Sequence, residues 1–397
     1  MGITRVSDNV YSVGVLNPSL RVFDIVMESK FGTTYNAYLI TGDKVTLVDT
    51  VHEDYFDEYL YNLQCLTDIQ DIEYIIMNHT ELDHSGSLVK LLEINPNIKV
   101  VCTVAAQKYL KAITNRDFNC ITVKNSDTLD IGGEGLEFVV APLLHWPDSM
   151  MTYHKDDKVL FSCDFLGSHF CEPSMFDESI HYKKEYLEQF LYYYKGIFGP
   201  FKPYVLSGLD KIENLEIEAV CPSHGPIIVE EIEQRMQDYR LWSTPQKKDK
   251  KSVAIIYASA YNCTRRLAER AFSAISESSD FDVQLIDIVT TPIEEVCETI
   301  ENADALLVGS CTINRDAPKV IWDVLSGIDA INVKSKPAGA FGSYGWSGEA
   351  VEMIKTRLSQ LKYNFIEDGI KVNFMPTDQD LNLIGEYASR VASKISE

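Results

Sequence analysis

Behind the apolar run IEYII (residues 72–76) stands HTELDH (79–84), which packs two imidazoles and two carboxylates into six positions. A buried strand that ends in metal-donor side chains needs a covered sheet to hold it, which points to a layered α/β fold. In an extended chain alternate residues face the same way, so His79, Glu81 and Asp83 are expected to converge. His84 follows at the turn into a helix starting near Ser85. Three more donors end later apolar runs: His145 after LEFVVAPLL, Asp164 after VLFSC and His224 after EAVCPS. Strand ends on one side of a sheet share a crevice even when they are distant in sequence. Each residue alone reads as a surface group or a solvated turn. Together, seven donors are too many for one ion and suit two metals sharing a carboxylate, with Asp164 as the expected bridge. Mixed imidazole and carboxylate donors favour iron or manganese, and ligand type leaves zinc open. His52, His154, His169 and His181 have no such partners and read as structural or solvated.

All eight histidines precede the stretch LWSTPQKKDKKSVAIIYAS at 241–259, where a proline and a run of mixed charge lead into a new apolar strand. That places a boundary near 248, giving domains 1–248 and 249–397, both of ordinary size. The front domain reads as repeated short strands with helices between them. In the back domain strands and helices alternate regularly, which implies a doubly wound parallel sheet covered on both faces. Ser259, Asn262, Cys263 and Thr264 lie in a short loop between the strand SVAIIYA and the helix RRLAERAF. Such a loop at a helix N-terminus is an anion site, because unpaired N–H groups and the helix dipole face the ligand.

The balance of 36 basic against 59 acidic side chains gives a net charge of −23, which repels phosphate backbones and excludes nucleic acid as an expected partner. No apolar run approaches the ~18 residues of a membrane span, and the start MGITRVSDNVYSVG shows no secretory signal. Nine cysteines without a CxxC pair argue against a disulfide framework and for a reducing cytoplasm.

HTELDH resembles the metal motif of the metallo-β-lactamase-like fold, with Glu81 where hydrolases usually carry a second histidine. In that detail, and in the later His, Asp and His, the chain is similar to the flavodiiron proteins (A-type flavoproteins, rubredoxin:oxygen oxidoreductases). The resemblance implies an N-terminal αββα sandwich followed by a flavodoxin-like domain. It implies two iron ions, one on His79, Glu81 and His145, the other on Asp83, His84 and His224, bridged by Asp164. An extra anionic donor favours the ferric state, as a redox-cycling site requires. Some relatives place a histidine near Asp24 that reaches the irons; here there is none, so proton delivery is expected to lean on other groups. The run Tyr192–Tyr194 resembles the region where relatives hold a tyrosine above the metals, and Tyr194 is the expected one.

The back domain carries the flavin side of the resemblance. Ser259, Asn262 and Thr264 match the flavodoxin phosphate loop, with Asn262 in the place of glycine. Ser310, Cys311, Thr312, Ile313 and Asn314 resemble the family's G-S-P-T-x-N segment, with Cys311 where proline is usual. Ser343, Tyr344, Gly345, Trp346, Ser347 and Gly348 resemble the third loop. The implied cofactor is FMN, with Thr312 and Asn314 bonding to the ring and Trp346 and Tyr344 nearby. The implied activity is reduction of dioxygen to water or of nitric oxide to nitrous oxide. The implied donor is rubredoxin, expected as a separate protein, or a reduced deazaflavin. A head-to-tail homodimer, or a dimer of such dimers, is expected to bring the flavin of one chain to the metals of another. The alternative is a dinuclear zinc hydrolase of the same fold with a flavodoxin-like module attached.

Overall fold

The short β-branched runs of the front part pair into two sheets laid face to face. The structure, a computed structural model, describes residues 2–133, 135–245, 247–277 and 280–396. It divides into two compact units, Met1–Pro245 and Gln246–Glu397.

In the first unit a seven-stranded sheet runs in the order Thr4–Arg5, Val10–Ser12, Tyr38–Ile40, Val45–Val48, Ile72–Met77, Lys99–Thr103, Asn119–Val123. A five-stranded sheet runs Thr128–Leu129, Leu136–Val140, Met150–His154, Val159–Cys163, Ala219–Pro222. Tyr74, Ile76 and Val101 of the first sheet meet Phe138, Met150 and Phe161 of the second in the core between them. Their neighbours Ile75, Met77, Val100 and Cys102 point the other way, into the core that also holds Tyr59, Leu63, Leu88 and Leu91 of the helices Phe56–Gln64 and Leu88–Ile94. Both faces of these strands are therefore buried, which is why YIIM after Glu73 reads as a continuous apolar run rather than an alternating one. Each large aliphatic side chain so buried contributes about 1.5–3 kcal/mol. On the far side of the second sheet the helices Lys183–Tyr193 and Lys202–Ile212 bury Phe190, Val205 and Leu209. This is the expected αββα sandwich.

Strand direction decides where the donors fall. Met150–His154 is antiparallel to both its neighbours, and Val159–Cys163 is parallel to Ala219–Pro222. Leu136–Val140, Val159–Cys163 and Ala219–Pro222 therefore all end on one side, and the residues after them project from the same edge.

The second unit is a parallel sheet in the order Phe281–Asp287, Lys251–Ala258, Ala305–Cys311, Pro337–Tyr344, with Asn364–Phe365 and Ile370–Asn373 both beside the last. Numbered along the chain this is the doubly wound order 2-1-3-4-5, which leaves a crevice where the winding reverses between the first and third strands. Helices Cys263–Ser276 and Asp378–Ser393 cover one face through Leu267, Ala271, Tyr387 and Val391. Helices Ile293–Asn302, Lys319–Ser326 and Ala350–Gln360 cover the other through Val296, Ile321, Val324 and Ile354. Among the described residues no helix is long and apolar enough to cross a membrane.

Candidate metal centre and flavin loops

Seven side chains from four chain segments meet at the strand ends of the first unit, and they fall into two groups. His79, Glu81, His145 and Asp164 offer ligand atoms within 4.8 Å of one another, and so do Asp83, His84 and His224. The Asp164 carboxylate lies between the groups. Its Oδ2 is 3.4 Å from His145 Nε2 and 3.8 Å from His79 Nε2. Its Oδ1 is 3.2 Å from His84 Nε2 and 3.6 Å from His224 Nε2. Glu81 Oε2 closes the first group at 3.2 Å from His79 and 3.3 Å from His145. Asp83 closes the second, with Oδ2 3.0 Å from His224 Nε2 and Oδ1 3.3 Å from His84 Nε2.

The extended geometry expected for this segment holds only in part. The strand ends at Met77, and Asp83 and His84 lie inside a single helical turn, Leu82–Ser85. That turn rotates Asp83 away from His79 and Glu81 and delivers it to the second group.

Donors of this kind around one ion, each ~2.1 Å from it, lie about 3.0–3.4 Å apart. The spacings found here cluster at that value. Both oxygens of Asp83 and Oδ2 of Asp164 are buried without a hydrogen-bond partner. Close approach without hydrogen-bond alignment is what results when facing lone pairs aim at a common third point. Buried carboxylate oxygens left so would otherwise carry a heavy desolvation cost. The residues therefore fit a pair of cations sharing Asp164.

Charge in the site points the same way. Burial alone would deprotonate His79, but hydrogen bonds to Asp148 and Glu81 and the charge of Asp164 hold its pKa up at about 10. His84 and His145 are raised as well, burial being outweighed by Asp83 and Asp164 for the first and by Asp164 and Glu81 for the second. Burial would raise Asp164, yet the charge of His84 and the close approach of the His145 imidazole hold it well below the ordinary carboxylate range. The carboxylates demand positive charge, and in its absence the imidazoles keep protons to supply it.

The ligand orientations are fixed from behind. Asp148 Oδ2 accepts from His79 Nδ1 at 3.1 Å and from Thr80 N and Oγ1, both at 2.8 Å. His224 Nδ1 donates to the Thr34 carbonyl at 2.6 Å, which leaves Nε2 for the centre. Gly225 follows at φ +82°, and a Cβ there would lie 2.3 Å from Ser168 Oγ, so only glycine allows this turn. Asp49 accepts from Asn78 N at 2.8 Å and so braces the end of the strand that carries His79.

Tyr194, the tyrosine expected above the metals, bonds instead to Ser243 Oγ at 2.7 Å and packs on Tyr239 and Trp242. Its neighbour Tyr193 is the one that donates to Asp164 Oδ1, at 3.1 Å. The helix Lys183–Tyr193 gives way there to a π-helical turn, Tyr194–Phe198, so successive tyrosines leave in different directions. Tyr192 is partly exposed and its hydroxyl accepts from Glu28 N.

His169 is neither solvated nor remote. It is buried, bonded through Nδ1 to Thr33 Oγ1 at 2.9 Å, with its ring centroid 5.1 Å from that of His224 and 4.9 Å from that of Tyr193. Burial and the charge of His224 hold it well below the usual histidine range. His52, His154 and His181 stay outside the cluster, engaged with Asp54 N, Asp157 N and Glu172 respectively. Asp24, which has no histidine beside it, lies at φ 45° with its carboxyl meeting Glu81. Partial burial and the charges of Glu81 and Asp83 push it up to about 6.

No short sequence pattern announces Tyr193, His169 or Asp24. A carboxylate backing a ligating histidine is common, and Asp148 three positions after His145 in HWPD is the one that such a rule would have found.

In the second unit the three loops expected to hold a cofactor stand at the strand ends beside the crevice. Asn262 and Thr312–Asn314 follow the first and third strands of the chain order, and Ser343–Gly348 spans the end of the fourth and the turn after it. Asn262 lies at φ 62°, the left-handed region that glycine favours and asparagine tolerates, so its presence in a glycine's place has a physical reason. Ser259 Oγ accepts from Arg265 N at 3.2 Å, and Thr264 Oγ1 meets Ser343 Oγ at 2.7 Å. Thr312 N donates to Ser343 O, and Ser310 Oγ to the Cys311 carbonyl. Asn314 has φ 52°. Cys263, Ile313, Tyr344, Gly345, Ser347 and Gly348 line the same loops, and Trp346 is 77% exposed, too open to be a core residue.

Fold and donor set together define a metallo-β-lactamase-like dinuclear metal domain joined to a flavodoxin domain. Residues 33–225 match the family model described as ODP family beta lactamase, and residues 255–384 match flavodoxin. The chain is 47% identical to the flavo-diiron protein FprA2 of Clostridium acetobutylicum over the full length of both. It is 33% identical to a nitric oxide reductase of Moorella thermoacetica, covering 99% of this chain and 98% of that one. The structure of rubredoxin oxygen:oxidoreductase from Desulfovibrio gigas matches with a TM-score of 0.73 and 28% identity over 99% of this chain and 98% of that one. The chain belongs to the flavodiiron protein family.

Proposed function

We propose that this protein is a flavodiiron oxidoreductase that reduces dioxygen to water, nitric oxide to nitrous oxide, or both. The carrying observation is Asp164, one carboxylate with an oxygen turned to each of two donor groups. Relatives named as oxygen and nitric oxide reductases favour this reading over a zinc hydrolase with an attached flavodoxin module. His79, Glu81 and His145 would hold one iron and Asp83, His84 and His224 the other, with Asp164 available to both. Ser259, Asn262, Cys263 and Thr264, with the segments 310–314 and 343–348, would hold FMN.

When bound, FMN supplies electrons in pairs or singly and the diiron pair supplies electron storage and Lewis acidity. The chain's own residues set the conditions. Asp148 and the Thr34 carbonyl fix the tautomers of His79 and His224, Tyr193 holds one oxygen of Asp164, and Asp24, raised to about 6, can take up a proton beside Glu81 as the pH falls toward that value. Aromatic and aliphatic packing behind the ligands excludes water from their rear.

A rubredoxin-type protein is the expected electron donor, with a reduced deazaflavin as the other source. The two sites each sit at strand ends of their own unit, and a head-to-tail homodimer, alone or paired as a dimer of dimers, brings flavin loops of one chain to metal donors of the next. A reducing cytoplasm suits its free thiols.

Metal analysis and anaerobic stopped-flow test the proposal together. About two irons and one FMN per chain are expected, with reoxidation of the reduced protein by either gas. Asp164→Ala is expected to keep flavin and lose turnover. Two zincs per chain, or unchanged turnover in Asp164→Ala, would overturn the assignment, and an active monomer by light scattering would overturn the dimer.

A further inference from the structure

Away from the metal centre, two thiols meet on neighbouring strands of the first sheet. Cys102 on Lys99–Thr103 and Cys120 on Asn119–Val123 have their sulfurs 3.7 Å apart. The strands are parallel, with Val100 opposite Cys120 and Cys102 opposite Thr122, so the two cysteines share a face and sit diagonally. From this contact and its place at the sheet edge, we propose that Cys102 and Cys120 form a reversible dithiol–disulfide site that responds to peroxide. The proposal does not depend on the reaction at the metal centre.

The two thiols are unequal. Cys102 is fully buried, whereas Cys120 is partly open on the outermost strand. A hydrogen bond from Cys102 pulls the Cys120 thiol down to about 7, with help from Gln107 and the charge of Lys111 against the effect of burial. Cys102 is raised by the same bond and by burial. A lowered thiol pKa and partial exposure on the edge strand both favour Cys120 as the thiolate that an oxidant reaches. Cys120 is therefore the attacking sulfur and Cys102 the resolving one.

The step balances with hydrogen peroxide as the oxidant. The Cys120 thiolate attacks one peroxide oxygen; an S–O bond forms, the O–O bond breaks, and hydroxide leaves as water with the thiol's proton. Cys102 then attacks the sulfenic sulfur; the S–S bond forms, the S–O bond breaks, and a second water carries off the hydroxyl and the Cys102 proton. The sulfurs together lose two electrons and peroxide gains two. Bond formation at ~2.05 Å asks the sulfurs to close from their present contact. The strand Asn119–Val123 is paired on one side only, so it can slide while Lys99–Thr103 stays anchored between two partners. A dithiol reductant reverses the link by exchange.

The position gives the link a consequence. The residue after Cys102 is Thr103, whose hydroxyl donates to the Asp148 carbonyl at 3.0 Å, and the Asp148 carboxylate holds His79. A cross-link here thus acts one residue from the clamp on a metal donor.

Peptide mapping of the full-length holoprotein, with thiols blocked after graded hydrogen peroxide, provides the test. The expected result is a peptide pair joined through Cys102 and Cys120, lighter by two hydrogens and restored by dithiothreitol, with exposed Cys65 forming no link within the chain. Cys102→Ser keeps a hydroxyl donor and is expected to trap a dimedone-reactive sulfenic acid on Cys120, while Cys120→Ser forms neither product. Both thiols still free at a dose that oxidises Cys65, or a link from either to a different cysteine, would refute the proposal without any variant having to fold.

Discussion

Asparagine in place of Asp148 keeps the shape of the side chain and removes its charge. In the native protein one oxygen, Oδ2, takes three hydrogen bonds, from His79 Nδ1, Thr80 N and Thr80 Oγ1. The amide oxygen of the substituted side chain can take the same three, but each loses its ionic acceptor. A bond to a charged group contributes about 1.5–3 kcal/mol and one between neutral groups about 0.5–1.5 kcal/mol, so the His79 bond alone weakens by roughly 1.4 kcal/mol. The imidazole also becomes a poorer base toward a cation on its Nε2. Together these place the expected loss of iron affinity at about 10–100-fold, or roughly 1.4–2.7 kcal/mol. Asp148→Ala orphans three buried donors at about 1–3 kcal/mol each and is expected to lower folding stability as well. The assay is anaerobic competition for ferrous iron against a chelator of known affinity, with bound flavin read by absorbance in the same samples. Flavin content should not change in Asp148→Asn. Iron affinity within about twofold of the native protein would refute the claim that Asp148 tunes His79.

Iron uptake should release protons. His79 in the metal-free protein is held at about 10, so at pH 7 a cation must displace its proton; apparent affinity should rise about tenfold per pH unit for each proton displaced, and a pH-stat should record base consumption on loading. Tyr193→Phe removes the hydroxyl on Asp164 and should cost about 1 kcal/mol of stability with a change in turnover, whereas Tyr194→Phe, which touches Ser243, should leave turnover intact; equal turnover losses in steady-state gas consumption would refute this division. Asn262→Gly should keep FMN, and Asn262→Val, a branched residue at φ 62°, should lose about 1 kcal/mol or more and shed flavin, as read by melting temperature and absorbance.

Much of this molecule is written in short segments. The seven donors were legible because each sits in a compact motif or directly behind an apolar strand, and strand ends on one edge must meet. YIIM at 74–77 and VAIIYA at 253–258 announce their sheets because strands buried on both faces run continuously apolar. The supporting residues were not legible for an equally physical reason. Asp148 reaches His79 across 69 positions, and Tyr193 reaches Asp164 across 29, so both contacts exist only once the layers have packed. The choice between Tyr193 and Tyr194 turned on one π-helical turn, which no periodicity in YYYKGIF reveals. His169 looked isolated because its neighbours Thr33, Tyr193 and His224 come from three different segments. Asp83 was placed on the correct edge but in an extended chain, since a helix of four residues is too short to leave a pattern.

Asp164 gives the two halves of the centre a common fate. An ion bound at one half would order the carboxylate's second oxygen as a donor for its companion. Loading should therefore be steep, with singly occupied protein scarce at every stage of a titration, and stripping one ion should loosen the other.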